Sequence, residues 1–187
     1  MRARLIDAAY RTLAEDGYEA MSIKDVARAA GVAPGLIHYY FASKTDLLLA
    51  VVREAAARAA GERASLGQAA AGAQLAAAAV RQISGRLARE PEMYRLRFDL
   101  FALGLRHPDL APAVAELLAD GRASIVRNLP RLATDAAGPV VEREALAAVF
   151  QAAFDGLALQ KLVDPSVDYE RALATLFTLA REVRLDA

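Results

Sequence analysis

The side chains between Ala33 and Tyr39 combine small size with hydrogen-bonding groups. Ala33, Pro34 and Gly35 come first, and His38 and Tyr39 follow. Small residues at the start of a helix allow its backbone to approach a surface closely, and the later donors can then reach base edges in the major groove of DNA. This order of residue types predicts the exposed face of a recognition helix.

Basic residues flank this stretch at positions suited to phosphate contact. Lys24, Arg28 and Lys44 would bind phosphates, and so would the N–H groups that open the neighbouring helices. The chain has 23 Lys and Arg against 23 Asp and Glu, so net charge does not indicate a nucleic-acid partner and local charge must supply the affinity. The predicted DNA-binding residues are Ser22, Lys24, Arg28, Ala33, Pro34, Gly35, His38, Tyr39 and Lys44.

Two short helices joined by a glycine turn must position these residues. Ser22 and Asp25 have the spacing of a capping box, and we expect the helix that they open to end at Gly31, where a tight turn needs positive φ. Pro34 suits the first position of the next helix, because its missing N–H would have been unpaired there. That helix is predicted to run to about Tyr40, forming a helix-turn-helix.

Further helices should brace this unit on both sides. The spacing of apolar residues predicts a first helix from Arg2 to Ala14, with Gly17 as a left-handed C-cap. A second capping box at Ser43 and Asp46 predicts a long fourth helix. Packing between the two short helices is predicted to involve Val26, Ala27, Val32 and Ile37.

The remainder of the chain also favours helices. Hydrophobic residues make up 56 % of the sequence, and alanine and leucine dominate among them, so we expect an all-α fold with essentially no sheet. A loop is predicted over 61–72, and Pro and Gly separate the later helices. Those helices are predicted at 73–89, 92–106, 109–135, 140–163 and 168–184. We expect a DNA-binding domain at 1–50 and a helical ligand-binding and dimerisation domain at 51–187.

The run SIKDVARAAGVAPGLIHYYFASKTDLL resembles the DNA-binding module of the TetR family. The shared pattern is a capped helix, Ala-Ala-Gly-Val, a short helix that ends in aromatic-aromatic-Phe, then Lys and a Leu pair. The resemblance implies a symmetric dimer that releases its operator when a small molecule binds the C-terminal domain. Repression is the commoner outcome in that family. The segment FDGLALQ, with the GLI before His38, is similar to the branch that includes the betaine-choline regulator.

His38 departs from the family pattern, since many members carry a tyrosine there. A histidine can donate to a phosphate and, with an ordinary pKa of roughly 6.5, would make DNA binding pH-sensitive. The alternative is an ordinary surface histidine.

Aromatic residues on two of the later predicted helices suggest an effector pocket for an apolar or cationic small molecule. Arg97 and Asp99 would be polar anchors there, although Asp99 also has the spacing of a surface pair with Arg95. The alternative is that most of these side chains pack the core. The predicted ligand-binding residues are Met93, Tyr94, Arg97, Phe98, Phe101, Phe150 and Phe154.

The helix at 140–163 has apolar residues on more than one face. Leu146, Val149 and Phe150 belong to a stripe expected to face the core, and the other stripe needs a partner. Gly156 would allow a neighbouring helix to approach closely. A four-helix interface between two subunits is therefore expected, as the family resemblance also implies. Its predicted residues are Ala152, Gly156, Leu159, Val163, Leu176, Phe177 and Val183.

Two other classes of protein fit the sequence less well. An enzyme is disfavoured because the chain has two distant histidines, no cysteine and no HExxH, GxSxG or phosphate-loop motif. A helical protein-interaction scaffold that does not bind DNA is the other alternative. We expect a cytoplasmic regulator without cofactor, metal or membrane contact, whose partners are an operator duplex, an effector and a second copy of the chain.

Overall fold

Helices dominate the computed structural model, which describes residues 1–64, 71–132 and 138–186. The predicted all-α fold is confirmed, because the β structure among these residues is limited to two strands of two residues each. The elements are α1 (Arg2–Ala20), α2 (Ile23–Ala30), α3 (Pro34–Tyr40), α4 (Lys44–Ala64), α5 (Gly72–Arg89), α6 (Pro91–Arg106), α7 (Ala111–Leu132), β1 (Val140–Val141), α8 (Arg143–Val163), α9 (Tyr169–Arg181) and β2 (Arg184–Leu185).

Several predicted boundaries were wrong. Gly17 has the expected positive φ of 76°, but its ψ of 173° only kinks α1, and the helix resumes as far as Ala20. The predicted loop at 61–72 begins within α4, and Gly72 already belongs to α5. Residues 65–70 of that loop, and the predicted end of the 109–135 helix, lie outside the described residues.

The two strands occupy ends of two predicted helices. β1 pairs in parallel with β2, with Val140 opposite Arg184. The helices predicted at 140–163 and 168–184 are shortened by these strands to Arg143–Val163 and Tyr169–Arg181. Arg143 fixes the junction, because its guanidinium donates to the backbone oxygen of Asp186 at 2.9 and 3.1 Å.

The first of two compact units comprises Met1–Ala59 and Glu92–Leu118. Its core includes Leu5 and Leu13 from α1, Leu47 from α4 and Leu100 from α6, all at most 1 % exposed. α6 and the start of α7 approach closely at Gly104, where an added Cβ would lie 2.9 Å from Val114 Cβ.

A partly exposed ion pair joins α4 to α1 in this unit. The Arg58 guanidinium donates to Asp7 Oδ1 at 2.7 Å and to Glu54 Oε1 at 2.8 Å, and it lies 4.1 Å from the centre of the Tyr10 ring. The hydrogen bond from Arg58 lowers the pKa of Asp7 below its ordinary value. The ion pair thus fixes α1 to α4, the helix that follows the helix-turn-helix.

The second unit comprises Ala60–Pro91 and Ala119–Ala187. α9 packs against both α5 and α8. Phe150 and Phe177 meet edge to face with centroids 5.6 Å apart, and Phe154 contacts both rings. The predicted functional division at residue 50 concerns roles rather than contacts and stays a prediction.

Candidate functional site

A complete capping box starts α2. The backbone N–H of Asp25 donates to Ser22 Oγ at 3.2 Å, and the Ser22 N–H donates to Asp25 Oδ2 at 3.2 Å. The hydroxyl of Ser22 also donates to the Asp25 carboxylate and holds the pKa of that carboxyl below its ordinary value. The cap predicted from the sequence is confirmed, and it fixes where α2 begins.

The turn after α2 has the geometry that a glycine permits. Gly31 is left-handed with φ 63° and ψ 42°, and its N–H donates to Arg28 O at 3.0 Å. Val26, Ala27 and Ile37 are at most 1 % exposed in one core cluster, and Val32 packs against that cluster. The buried side of α3 is therefore held against α2 by apolar packing, as predicted.

The opposite side of α3 faces solvent. Ala33, Pro34, Gly35, His38 and Tyr39 are all exposed, and the Tyr39 side chain reaches 79 %. A Cβ added at Gly35 would meet nothing within 4 Å. The structure thus brings the predicted base-facing residues together on one open surface, and their contact with DNA stays a prediction.

Lys44 has intramolecular partners that sequence reasoning missed. Its Nζ donates to Met21 O at 3.0 Å and lies 4.3 Å from the centre of the Tyr18 ring. An ammonium has three donors, so this bond orients Lys44 without using its whole capacity. Sequence spacing carried no signal for these contacts, because Tyr18 and Met21 are far from Lys44 along the chain.

Basic residues of α1 also lie beside the helix-turn-helix. The Arg2 guanidinium is 5.2 Å from the centre of the Phe41 ring, and Arg4 Nη2 is the atom nearest a Cβ added at Gly31, at 3.1 Å. Arg28, predicted as a phosphate contact, pairs with Asp25 at 2.6 Å while its side chain stays 80 % exposed. Lys24 is exposed as well. These positions concentrate positive charge near α3.

The predicted ligand-binding residues divide between the two units. Met93, Tyr94, Arg97, Phe98 and Phe101 are half-buried on α6 in the first unit. Met93 Sδ accepts a hydrogen bond from Tyr10, and Arg97 lies 4.7 Å from the centre of the Phe101 ring.

Phe150 and Phe154 lie on α8 in the second unit, where Phe150 is 1 % exposed. The role of these residues in ligand binding stays a prediction. The alternative pairing of Arg95 with Asp99 was wrong, because Arg95 pairs with Glu92 at 3.8 Å.

Gln151 is a functional candidate that the sequence analysis missed. It lies on α8 and is 6 % exposed, and neither its Oε1 nor its Nε2 has a hydrogen-bond partner among the described residues. Leaving a buried polar group unpaired costs about 1–3 kcal/mol. The signal available in the sequence for this candidate was a glutamine placed one turn from two apolar residues, Ala147 and Phe154.

An open groove of about 660 Å³ lies between α5 and α9. Ala77, Val80 and Phe177 line it together with charged residues such as Arg81 and Glu170. Its volume is in the range of small-molecule sites. Its mixed charges differ from the largely aromatic site that was predicted.

Helices α8 and α9 both carry exposed apolar side chains. Leu159 is 46 %, Val163 77 % and Leu179 62 % exposed. A Cβ at Gly156 would meet nothing within 4 Å, so the described residues do not provide the close helix approach expected there. Ala152 is exposed, and Leu176 and Val183 are half-buried.

Two residues of this region differ from expectation. Phe177 is 4 % exposed and packs on Phe150 within its own subunit, which leaves little of its ring for a partner. Val149 was expected to face the core but is 58 % exposed, so it belongs to the exposed apolar side of α8.

By length and composition α8 is the one described helix apolar enough to cross a membrane. That is weak support for a span, because helices of soluble proteins also meet the same criteria.

Comparisons with known proteins cover both parts of the chain. Residues 5–51 match the model of bacterial regulatory proteins of the tetR family, and residues 70–182 match the tetracyclin repressor-like C-terminal domain. The regulator BetI of Rhizobium meliloti (strain 1021) is 46 % identical over 52 residues, which are 28 % of this chain and 26 % of BetI. The fatty acid metabolism regulator protein of Bacillus subtilis (strain 168) is 41 % identical over 51 residues, 27 % of this chain and 26 % of that protein. The matched stretch spans about a quarter of each curated relative.

Solved structures resemble nearly the whole chain. The multidrug binding protein EbrR complexed with ethidium has a TM-score of 0.77 and 26 % identity, and the match covers 96 % of this chain and 98 % of EbrR. A transcriptional regulator from Rhodococcus sp. Rha1 has a TM-score of 0.79 at 22 % identity, covering 96 % of this chain and 95 % of that one, which shows the shared fold.

The family resemblance predicted from the N-terminal run is therefore confirmed. The C-terminal match alone spans more than half of the chain, and the N-terminal match contains the whole helix-turn-helix. The family consists of regulators and not of enzymes. This chain is a transcriptional regulator of the TetR family.

Proposed function

We propose that this regulator is a cytoplasmic repressor that binds a palindromic operator as a homodimer and leaves it when a small-molecule effector binds the C-terminal domain. The observation that carries the proposal is the surface of α3. Its Ile37 is fully buried against α2, while Pro34, Gly35, His38 and Tyr39 are exposed on the other side. A short helix fixed on one face and open on the other suits the major groove.

Phosphate contacts would orient this helix on the duplex. Lys24, Arg28 and Lys44 flank α3 from neighbouring helices, and Arg2 and Arg4 add charge from α1. Such contacts fix register and supply affinity without reading sequence. Sequence selection would then depend on Gly35, His38 and Tyr39.

The homodimer is supported by the exposed apolar face of α8 and α9. Exposed side chains such as Leu159 and Val163 are costly in water unless a partner covers them. A second copy related by a two-fold axis would present the same face, and the open surface at Gly156 would let two α8 helices approach closely. Two copies of α3 would then read two halves of a palindrome.

Effector binding is supported by the matched C-terminal domain. EbrR, which resembles this chain over most of its length, has been crystallised with ethidium and with proflavin, which are aromatic compounds. The predicted aromatic ligand-binding residues of this chain would offer apolar rings to such a compound. An effector that binds only one arrangement of the dimer would shift the population away from DNA.

Selection from a pool of random duplexes tests DNA recognition. The full chain should enrich an inverted repeat. His38→Ala should then weaken binding to the selected duplex, whereas Gln74→Ala should not, because Gln74 is also exposed but lies on α5. Retention of DNA without any enriched sequence, or equal effects of the two variants, would contradict recognition through α3 and favour the scaffold alternative.

A further inference from the structure

The side-chain amide of Gln151 is a buried polar group of the second unit. Its carbonyl oxygen and its NH₂ group are both enclosed without a hydrogen-bond partner among the described residues. Methionine or leucine would fill similar space without burying polar atoms. Buried polar groups in native proteins are nearly always paired, so an unpaired amide requires a reason.

Gly121 of α7 lies directly against this amide. A Cβ added at Gly121 would be 2.8 Å from Gln151 Oε1 and 3.3 Å from its Cδ. Glycine within a helix is less stable than alanine. Ser124, one turn later on α7, is also buried. The unpaired amide of Gln151 and the helical glycine Gly121 each lower stability, and they lie in contact between α7 and α8. Such a combination is typical of a binding site.

We infer that Gln151 is the polar anchor of the effector site and that the effector carries an uncharged group that both donates and accepts hydrogen bonds, such as a carboxamide. The inference rests on the proposed function, since it names the chemistry of the effector. The amide offers one acceptor and two N–H donors and no charge. Ala147 and Phe154, one turn before and after Gln151, are apolar, so a charged group would lose hydration there without a counter-charge from them.

Three small probes that share a benzene ring separate the possible chemistries. Thermal unfolding of the full chain is measured with benzamide, benzoate and benzamidinium, each at about 10 mM. Benzamide with a dissociation constant of about 1 mM should raise the midpoint by roughly 3–5 °C, and the two ions should not. A shift with benzamidinium or benzoate but not benzamide, or no shift with any probe, would overturn the inference.

Gln151→Met tests the residue itself. The variant should lose the benzamide shift, and its own midpoint should exceed that of the wild type because the unpaired amide is gone. Gln74→Met, the same change at an exposed position of α5, should keep the shift. If Q151M unfolds more easily, Gln151 has a structural partner such as an internal water, and an equal benzamide shift in both proteins would exclude it from the site.

Gly121→Ala approaches the same point from α7. Its methyl group should displace the flexible amide and abolish the benzamide shift while the helix is retained. A benzamide shift that persists in G121A would contradict the inference. Affinity for the selected duplex is measured separately: benzamide should weaken DNA binding by the wild type and by the Gln74→Met control, and should leave the affinity of Q151M at its own benzamide-free value. Loss of DNA selection with an intact benzamide shift would refute the proposed function alone.

Discussion

Replacing Lys44 by methionine should weaken binding to every DNA duplex alike. The slope of log affinity against log salt is negative, and each phosphate contact makes it steeper by about 0.9. Loss of one contact from each subunit of a symmetric dimer should therefore make the slope shallower by about 1.8. If the affinity extrapolated to 1 M salt is unchanged, the loss at 0.1 M salt is about 60-fold. The hydrogen bond from Lys44 Nζ to Met21 O holds the ammonium beside the helix-turn-helix. We therefore expect one phosphate contact from Lys44 in each subunit. Fluorescence anisotropy across a salt series measures the slope.

Lys161→Met is the matched control for this change. Lys161 Nζ donates to the backbone oxygens of Pro165 and Val167 at 2.7 and 2.8 Å, so it also anchors its own chain, but it lies at the end of α8. Both variants should lose some thermal stability, and only Lys44→Met should change the salt slope. An unchanged slope would exclude Lys44 from the DNA interface. A slope that becomes shallower by only about 0.9 would contradict two equivalent contacts in the dimer.

Three further outcomes test the turn, the α1–α4 ion pair and the dimer. Gly31→Ala should destabilise the chain by about 1–2 kcal/mol in urea unfolding because its φ is 63°, whereas Gly35→Ala should be neutral or stabilising; equal costs would contradict the turn. The hydrogen bond from Arg58 lowers the pKa of Asp7. The ion pair therefore stabilises the fold above a pH of about 4, and this stabilisation is lost as pH falls through the lowered pKa. Asp7→Asn should therefore reduce the loss of urea stability between neutral and acid pH, and an unaltered pH dependence would show that the pair is unimportant. Leu159→Glu should give a folded monomer in sedimentation, whereas Leu105→Glu, at an 89 % exposed leucine of the first unit, should remain a dimer; a dimeric Leu159→Glu variant would refute the α8 interface.

Local sequence was sufficient for the helix-turn-helix. A capping box, a left-handed glycine and a proline at the first helical position each depend on residues within a few positions of one another, so Ser22, Gly31 and Pro34 could be assigned their roles directly. The burial of Ile37 followed from helical periodicity in the same way. The exposed face of α3 was predictable because it is the complement of that buried position.

Long-range packing decided what local patterns left open. Periodicity placed Val149 inward and Phe177 at a subunit interface, but α8 and α9 each have more than one apolar face, and only the position of their neighbours determines which one is covered. The strand pair of Val140 and Arg184 was not predictable from segments of two residues that are far apart in the chain.

The sequence by itself determined the fold class, the family and the helix that we expect to bind DNA, because these depend on composition and on contacts between near neighbours. Tertiary structure alone brought Met21 and Tyr18 to Lys44, and Gly121 to Gln151. Hydrogen bonds and close approaches between distant residues depend on how helices pack, and helical periodicity fixes only the face of each residue and not its neighbour.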